Sequence, residues 1–256
     1  MNIQVPANLF KRAVVEKRTQ IGLWCSLCSN IAAEVIAGAG FDWILIDTEH
    51  APNELPSVLN QLQALVGGTA APVVRPAWND VVLIKRLLDI GVQNLLIPYV
   101  QTPDEARAAV AATRYPPDGV RGVAVNHRAN RFGRATDYLK CANEEICVLV
   151  QIETRLGLQN IEAIAAVAGV DGLFIGPSDL AAALGHLGES GHPEARAAIQ
   201  DAVERIRRAD KAAGILAPIE ADARHWLSSG CTVLAVGSDV NLLVRHGDEL
   251  ASKFKR

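Results

Sequence analysis

The chain has 256 residues, half of them hydrophobic, and a formal net charge of −3. This composition provides a core for one large domain or two small ones and excludes a disordered chain. Because charges of both signs are interspersed, no general attraction to nucleic acid or to an anionic membrane is expected. The sequence contains no signal peptide and no run of about 18 apolar residues, so we expect a cytoplasmic protein. Its five cysteines lack the spacing of a disulfide framework.

Eight short apolar runs, each typical of a buried strand, follow one another along the chain. They cover residues 21–27, 43–47, 72–76, 94–100, 147–153, 172–178, 214–218 and 232–238. Between them, apolar residues three and four apart predict helices. These helices cover Ala32–Ala39, Leu55–Leu65, Val81–Ile90, Asp104–Ala112, Asn160–Ala168 and Glu194–Ala213. Eight such repeats predict an α/β protein with a closed (β/α)8 TIM barrel, and the G-x-G-x-x-G of the open doubly wound sheet is missing.

One segment, 114–146, interrupts the alternation, because its apolar residues lack a helical period. We expect a single barrel domain over residues 1–256 with a long loop here, and loops of this length are usually functional or form interfaces. The favoured ligand of this loop is an anionic small molecule or a neighbouring subunit, and a solvated surface loop is the alternative. Nucleic-acid binding is not expected, because interleaved aromatic residues are missing. The basic residues are Arg121, His127, Arg128, Arg131 and Arg134.

Polar side chains collect at the ends of four predicted strands, where a barrel builds its active site. Individually, they have structural explanations: Arg75 can pair with a nearby carboxylate, and Ser178 can cap the following helix. Their joint occurrence at equivalent strand ends favours an active site. The residues, in chain order, are Asp47, Glu49, His50, Arg75, Gln151, Glu153, Ser178 and Asp179.

Two carboxylates, Glu153 and Asp179, end neighbouring strands, and such a pair suits a hard divalent cation such as Mg²⁺ or Mn²⁺. Zinc is less favoured, because it prefers His or Cys ligands and this rim offers mainly His50. A metal-bound 2-keto acid forms a stabilised enolate, which is what a pyruvate-type aldolase requires. The competing Schiff-base chemistry needs a desolvated lysine, and no lysine ends an apolar strand.

Several segments resemble the class II, metal-dependent pyruvate aldolases of the 4-hydroxy-2-oxoheptanedioate aldolase and 2-dehydro-3-deoxyglucarate aldolase family. They include AGFDWILIDTEHAPN, PVVRPAWND, IKRLLDIGVQNLLIPYVQT, ATRYPPDGVRG, VLVQIET and GVDGLFIGPSDLAAALGHLG. The similarity covers nearly the whole chain, and HRANRFG and GPSDLAAALGHLG are most similar to the deoxyglucarate branch. The resemblance implies a divalent metal cofactor, Mg²⁺, Mn²⁺ or Co²⁺, and a homo-oligomer, a hexamer with an exchanged C-terminal helix.

The resemblance also implies roles for individual residues. His50 is the catalytic base, Asp89 raises the basicity of its imidazole, and Arg75 stabilises the enolate. The metal ligands and the substrate-binding residues overlap: Glu153 and Asp179 bind the metal, and Gln151, Ser178 and Asp179 contact the substrate. The residue patterns alone had not singled out Asp89, which ends a predicted helix.

The implied reaction is retro-aldol cleavage of a 4-hydroxy-2-keto acid to pyruvate and an aldehyde. In the deoxyglucarate branch the aldehyde is tartronate semialdehyde, and in the other branch it is succinate semialdehyde. Hydroxypyruvate is a possible second donor. Two alternatives stay open: a citrate-lyase-like or phosphoenolpyruvate-using enzyme on the same barrel, and a non-catalytic keto-acid-binding barrel that would not need His50.

Overall fold

A closed barrel of eight parallel strands forms the centre of the computed structural model, which describes residues 5–255. Each strand pairs with the next, and the last closes onto the first, which confirms the predicted (β/α)8 architecture. The strands are β1 (Gln20–Cys25), β2 (Trp43–Asp47), β3 (Ala71–Arg75), β4 (Asn94–Ile97), β5 (Cys147–Ile152), β6 (Gly172–Ile175), β7 (Ala212–Leu216) and β8 (Val233–Ser238).

Helices connect the strands on the outside of the barrel. None of those within residues 5–255 is long and apolar enough to cross a membrane. The helices are α1 (Leu9–Val15), α2 (Asn30–Ala37), α3 (Leu55–Ala64), α4 (Val81–Asp89), α5 (Pro103–Thr113), α6 (Tyr138–Glu145), α7 (Arg155–Gln159), α8 (Ile161–Ala165), α9 (Pro177–Ala183), α10 (Pro193–Arg208), α11 (Glu220–Ser229) and α12 (Asp239–Phe254).

Several predicted boundaries were wrong, three of them between β5 and β7 by more than two residues. The helix predicted over Glu194–Ala213 ends at Arg208, because Asp210 adopts a left-handed φ of 61° and β7 begins two residues later. The strand predicted over 172–178 stops at Ile175, because the proline after Gly176 begins α9 with the φ that a first helical turn requires. The helix predicted over Asn160–Ala168 is shorter and covers only Ile161–Ala165 (α8), and a separate short helix, α7, precedes it.

The interior of the barrel is filled with aromatic rings. Trp24, Trp43 and Phe174 pack together with ring centroids 5.8 to 6.4 Å apart, and Phe10 of α1 packs against Trp43. Gly22 makes room for this cluster, because a Cβ there would overlap the Trp43 ring. The barrel is therefore a packed core and not a channel, so ligands must bind at its rim.

Segment 114–146 packs a buried arginine against the outside of the barrel. Arg121 has 0% exposure and lies over the rings of Tyr115 and Tyr138, at 4.5 and 5.7 Å from their centroids. Its Nη2 donates a 2.9 Å hydrogen bond to Asp89. Arg121 is therefore neither solvated nor available to a ligand, and the end of the predicted loop is instead a helix, α6. The roles expected of the other basic residues stay predictions.

Candidate active site

Arg75 joins two acidic side chains at the rim. Asp47 and Arg75 end neighbouring strands in register. Arg75 donates through Nε and Nη2 to the two carboxylate oxygens of Asp47 at 2.9 and 2.6 Å, and its Nη1 lies 2.8 Å from Glu49. Although burial raises the pKa of Asp47, the hydrogen bonds and charge of Arg75 outweigh it and lower that pKa. The ion pair that sequence reasoning had left open is thus present, with the guanidinium fixed at the rim.

Glu153 is as deeply buried as Asp47, with 2% exposure. Its Oε1 accepts a 2.7 Å hydrogen bond from the backbone N–H of Tyr99, and its Oε2 accepts one from the Gln151 side chain. Burial raises its pKa to about 7, and the charges of Glu49 and Asp179 act in the same direction. A buried carboxylate surrounded by acidic groups favours a bound cation, because a cation would compensate its charge.

The surroundings of Glu153 leave room for a ligand. Among residues 5–255, the buried Oε1 of Gln151 has no hydrogen-bond partner. Buried polar atoms are normally paired, so this amide oxygen points to a missing polar ligand. Asp179, exposed in the first turn of α9, is close enough for its charge to raise the pKa of both Glu49 and Glu153. The donor set is thus rich in carboxylate oxygen, which fits Mg²⁺ or Mn²⁺.

Gly176 permits the close approach of the strand end to this pocket. A Cβ at this position would lie 2.9 Å from Gln151 Nε2 and closer still to Glu153 Oε2. We therefore expect Gly176→Ala to displace both side chains and to lower kcat/KM about 100-fold, since misplacements of about 1 Å have such effects. Steady-state kinetics check this result. Gly67→Ala is the control, because its Cβ would meet nothing within 4 Å, and equal activity in both variants would contradict the expectation.

His50 and Asp89 are not brought together within one chain. The His50 side chain is 65% exposed at the rim, and its Nε2 lies 3.9 Å from a carboxylate oxygen of Glu49. Asp89 is the last residue of α4, which starts on the rim side after β3 and rises about 13 Å over its length. Its carboxylate pairs with Arg121. Within a single chain, the nearest carboxylate that the structure pairs with His50 is therefore Glu49.

Sequence reasoning missed Tyr99. The strand predicted over 94–100 ends at Ile97, and Tyr99 adopts a left-handed φ of 57°, from which its N–H reaches Glu153. Its ring lies against that of Trp78, with centroids 5.5 Å apart. The available signal was Pro98, because a proline cannot donate to a strand ladder and predicts an earlier strand end.

A parallel (β/α)8 barrel with a buried carboxylate, a fixed arginine and a histidine at its C-terminal rim has the architecture of a barrel enzyme. Residues 20–246 match the family model described as HpcH/HpaI aldolase/citrate lyase. The chain belongs to the HpcH/HpaI aldolase/citrate lyase family. The predicted family is therefore confirmed, and the chain is an aldehyde-lyase, which cleaves carbon–carbon bonds.

Full-length relatives agree with this assignment. The chain is 56% identical over 252 residues to a pyruvate aldolase of Rhizobium etli, covering 98% of this chain and 99% of that one. It is 53% identical over 256 residues, 100% of both chains, to the 5-keto-4-deoxy-D-glucarate aldolase of Shigella dysenteriae. A solved family member from Burkholderia cenocepacia superimposes with a TM-score of 0.95 at 41% identity, covering 98% of this chain and 100% of the other. The similarity to the deoxyglucarate branch is thereby confirmed.

Proposed function

We propose that the chain is a divalent-metal-dependent aldolase that reversibly cleaves a keto-deoxyglucarate, of the 2-dehydro-3-deoxyglucarate type, to pyruvate and tartronate semialdehyde. The observation that carries the proposal is the buried Glu153 carboxylate at the rim, with its pKa raised to about 7 and the unpaired Gln151 oxygen beside it. The full-length relative named for 5-keto-4-deoxy-D-glucarate supports this substrate class. Hydroxypyruvate is a second candidate donor.

Glu153 and Asp179 would hold the metal, and Mg²⁺, Mn²⁺ or Co²⁺ fits these oxygen ligands. When bound, the metal supplies Lewis-acid stabilisation of the negative charge on the keto-acid fragment. Gln151, Ser178 and Asp179 would contact the substrate: Ser178 can donate through its hydroxyl, whereas the free oxygen of Gln151 and the carboxylate of Asp179 can only accept, for example from a substrate hydroxyl. The unpaired amide oxygen of Gln151 supports its assignment to substrate binding.

His50 and Arg75 would carry the proton and charge steps. The exposed imidazole of His50 would accept the proton of the C4 hydroxyl, after which the C3–C4 bond breaks and its electron pair passes into the pyruvate fragment. Arg75 would face the developing oxyanion of the enolate, and its orientation is supported by Asp47 and Glu49. Protonation at C3 then gives pyruvate, and the other fragment leaves as the aldehyde.

The proposed role of Asp89 requires a second subunit, because α4 separates it from His50 of the same chain. A homo-oligomer, a hexamer by family resemblance, would supply that subunit. α12 supports an assembly, because it exposes large apolar side chains, of which Leu243, Leu250 and Phe254 share one face of the helix and Leu242 and Val244 flank it. The predicted cytoplasmic location stays a prediction.

Assembly is expected to depend on this face of α12. A charge at Leu243 would be buried in the interface, so Leu243→Glu should reduce the mass measured by size-exclusion chromatography with light scattering. Val66→Glu is the control, because Val66 is a similarly exposed apolar residue on a different element. An unchanged mass in Leu243→Glu would contradict the role of α12.

Metal affinity is expected to depend on pH through Glu153. Burial, with the charges of Glu49 and Asp179, raises the pKa of this carboxyl to about 7, so a proton competes with the cation below that pH. The affinity for Mn²⁺ should fall about tenfold for each pH unit below 7. Electron paramagnetic resonance titrations of free Mn²⁺ between about pH 5.5 and about pH 8 measure the dissociation constant. A constant affinity over this range would contradict the assignment of Glu153.

The decisive test compares retro-aldol cleavage of 2-dehydro-3-deoxyglucarate and 4-hydroxy-2-oxoheptanedioate with Mn²⁺ present. We expect a higher kcat/KM for the former, loss of turnover with EDTA, and loss of turnover in His50→Ala. Preference for the second substrate would select the succinate semialdehyde reaction. Chelator-insensitive turnover would overturn the metal assignment, and keto-acid binding without any turnover would leave a non-catalytic binding barrel.

A further inference from the structure

The loop between α9 and α10 carries two histidines and a glutamate at three-residue spacing. His186, Glu189 and His192 follow the pattern H-x-x-E-x-x-H. The backbone N–H of Glu189 bonds to the carbonyl of His186 at 3.0 Å, and that of His192 bonds to the carbonyl of Glu189 at 2.8 Å. Each of these bonds closes a four-residue turn, with Gly188 at a left-handed φ of 81°, so the chain folds back between the two histidines. One potential ligand atom from each of the three side chains therefore lies within 4.8 Å of the others.

The two imidazoles lie against each other, and a shared metal would require one ring to tilt out of the stack, because the in-plane lone pairs of parallel rings do not converge. Their rings stack with centroids 3.5 Å apart and an interplanar angle of 16°. His186 Nε2 lies 2.8 Å from a carboxylate oxygen of Glu194, which leaves Nδ1 for a ligand. A carboxylate on the second ring nitrogen is the usual support of a metal-binding histidine, because it fixes the tautomer and raises the basicity of the ligand.

His192 is also the N-cap residue of α10, because its Nδ1 accepts a 3.3 Å hydrogen bond from the backbone N–H of Glu194. Binding of a metal at Nε2 would place the ring proton on Nδ1 and give up this long bond. Neighbouring ligands of a tetrahedral zinc ion lie about 3.3 Å apart, so the three donors must also move closer together. Glu189 and Leu187 are both exposed, so no packed side chains prevent the loop from bringing the three ligand atoms closer together.

We propose that His186, Glu189 and His192 form a transition-metal site separate from the rim carboxylates. Two imidazole nitrogens and one carboxylate oxygen suit Zn²⁺, Co²⁺ or Ni²⁺, whereas Mg²⁺ prefers oxygen ligands alone. A water molecule would fill the fourth position of a zinc ion. The site would fasten the loop that follows the helix carrying Ser178 and Asp179.

Another histidine–carboxylate pair, on α12, has fewer potential ligands. His246 Nδ1 lies 3.2 Å from Glu249 on α12, with a single imidazole and a single carboxylate. Two ligands of this kind hold a metal weakly, so His246 provides a matched control for the loss of an exposed histidine.

The test is calorimetric titration of Zn²⁺ into the metal-free, full-length protein in the presence of excess Mg²⁺. We expect one tightly bound zinc per chain, lost in His186→Gln and in His192→Asn and retained in His246→Gln. Asparagine is chosen at 192 because it preserves a helix-capping side chain while removing the imidazole. Circular dichroism of each variant verifies that the fold is intact.

A second readout uses Co²⁺, whose visible absorption reports coordination by nitrogen in a four-coordinate site. The spectrum is expected in wild type and in Glu153→Gln, and to disappear in His186→Gln. Zinc binding that survives both histidine substitutions, or that is lost in Glu153→Gln alone, would overturn the proposal. The result is independent of aldolase activity, so failure of this site and failure of the proposed reaction are distinguishable.

Discussion

Replacing Glu153 with glutamine is expected to lower activity and, at the same time, to stabilise the metal-free protein. The substitution preserves shape but removes the charge proposed to bind the metal. Because Lewis-acid stabilisation is worth several kcal/mol, kcat/KM should fall about 1,000-fold or more. Steady-state kinetics with Mn²⁺ in excess measure this loss.

The stability gain follows from the raised pKa of Glu153. Burial raises this pKa from the ordinary glutamate value of 4.5 to about 7, so the folded state holds this proton more tightly than the unfolded state. Below pH 4.5 the carboxyl is protonated in both states, so its burial does not reduce the free energy of unfolding. As the pH rises from 4.5 through about 7, the unfolded state ionises more readily than the folded state, and the free energy of unfolding falls. Removing the charge should recover up to about 3 kcal/mol of unfolding free energy at pH 8, measured by urea unfolding with EDTA.

Glu162→Gln is the control for this substitution. Glu162 lies on α8, on the outside of the barrel, and forms a surface ion pair with Arg205 of α10, with a nearest distance of 2.5 Å. Its loss should change stability by about 1 kcal/mol or less and leave kcat/KM unaltered. A Glu153→Gln variant that is less stable than wild type and still active would contradict the proposed role.

Replacing Arg75 with methionine is expected to lower both the free energy of unfolding and the activity. The guanidinium is the common partner of Asp47 and Glu49, and the Asp47 carboxylate is buried. Removing one partner of a buried pair leaves an uncompensated charge, so the unfolding free energy should fall by about 3 to 5 kcal/mol. Loss of the enolate-facing cation should also lower kcat/KM about 100- to 1,000-fold. Arg75→Lys should be intermediate, because lysine keeps the charge but not the bidentate geometry.

Arg196 offers a closely matched control. It also pairs with an aspartate at 2.6 Å, Asp222, and lies 5.5 Å from the centroid of a tryptophan ring, but its side chain is 36% exposed. Arg75 lies 5.1 Å from the Trp24 ring and is 7% exposed. Arg196→Met should therefore cost about 1 kcal/mol or less. Equal losses of unfolding free energy in the two methionine variants would show that burial of the Arg75 pair is not the cause.

The architecture was predictable because it follows from local patterns of apolar residues. Continuous apolar runs, helical periods between them and their repetition eight times predict a closed parallel barrel, which the structure confirms, and the C-terminal ends of parallel strands meet at one rim. This reasoning placed Asp47, Arg75 and Glu153 on the same side of the molecule without any knowledge of their contacts. The boundaries were less predictable, because short helices such as α9 and single left-handed residues such as Asp210 depend on local turn geometry.

The sequence by itself determined the barrel, the family and the residue types at the rim, because these depend on periodicity and on motifs. Only the tertiary structure decided the contacts: that Tyr99 holds Glu153, that Arg121 pairs with Asp89, and that α4 separates Asp89 from His50 of its own chain. These facts depend on distances between residues that are remote in the chain, and burial, which sets the pKa of Glu153, exists only once the strands and helices have packed.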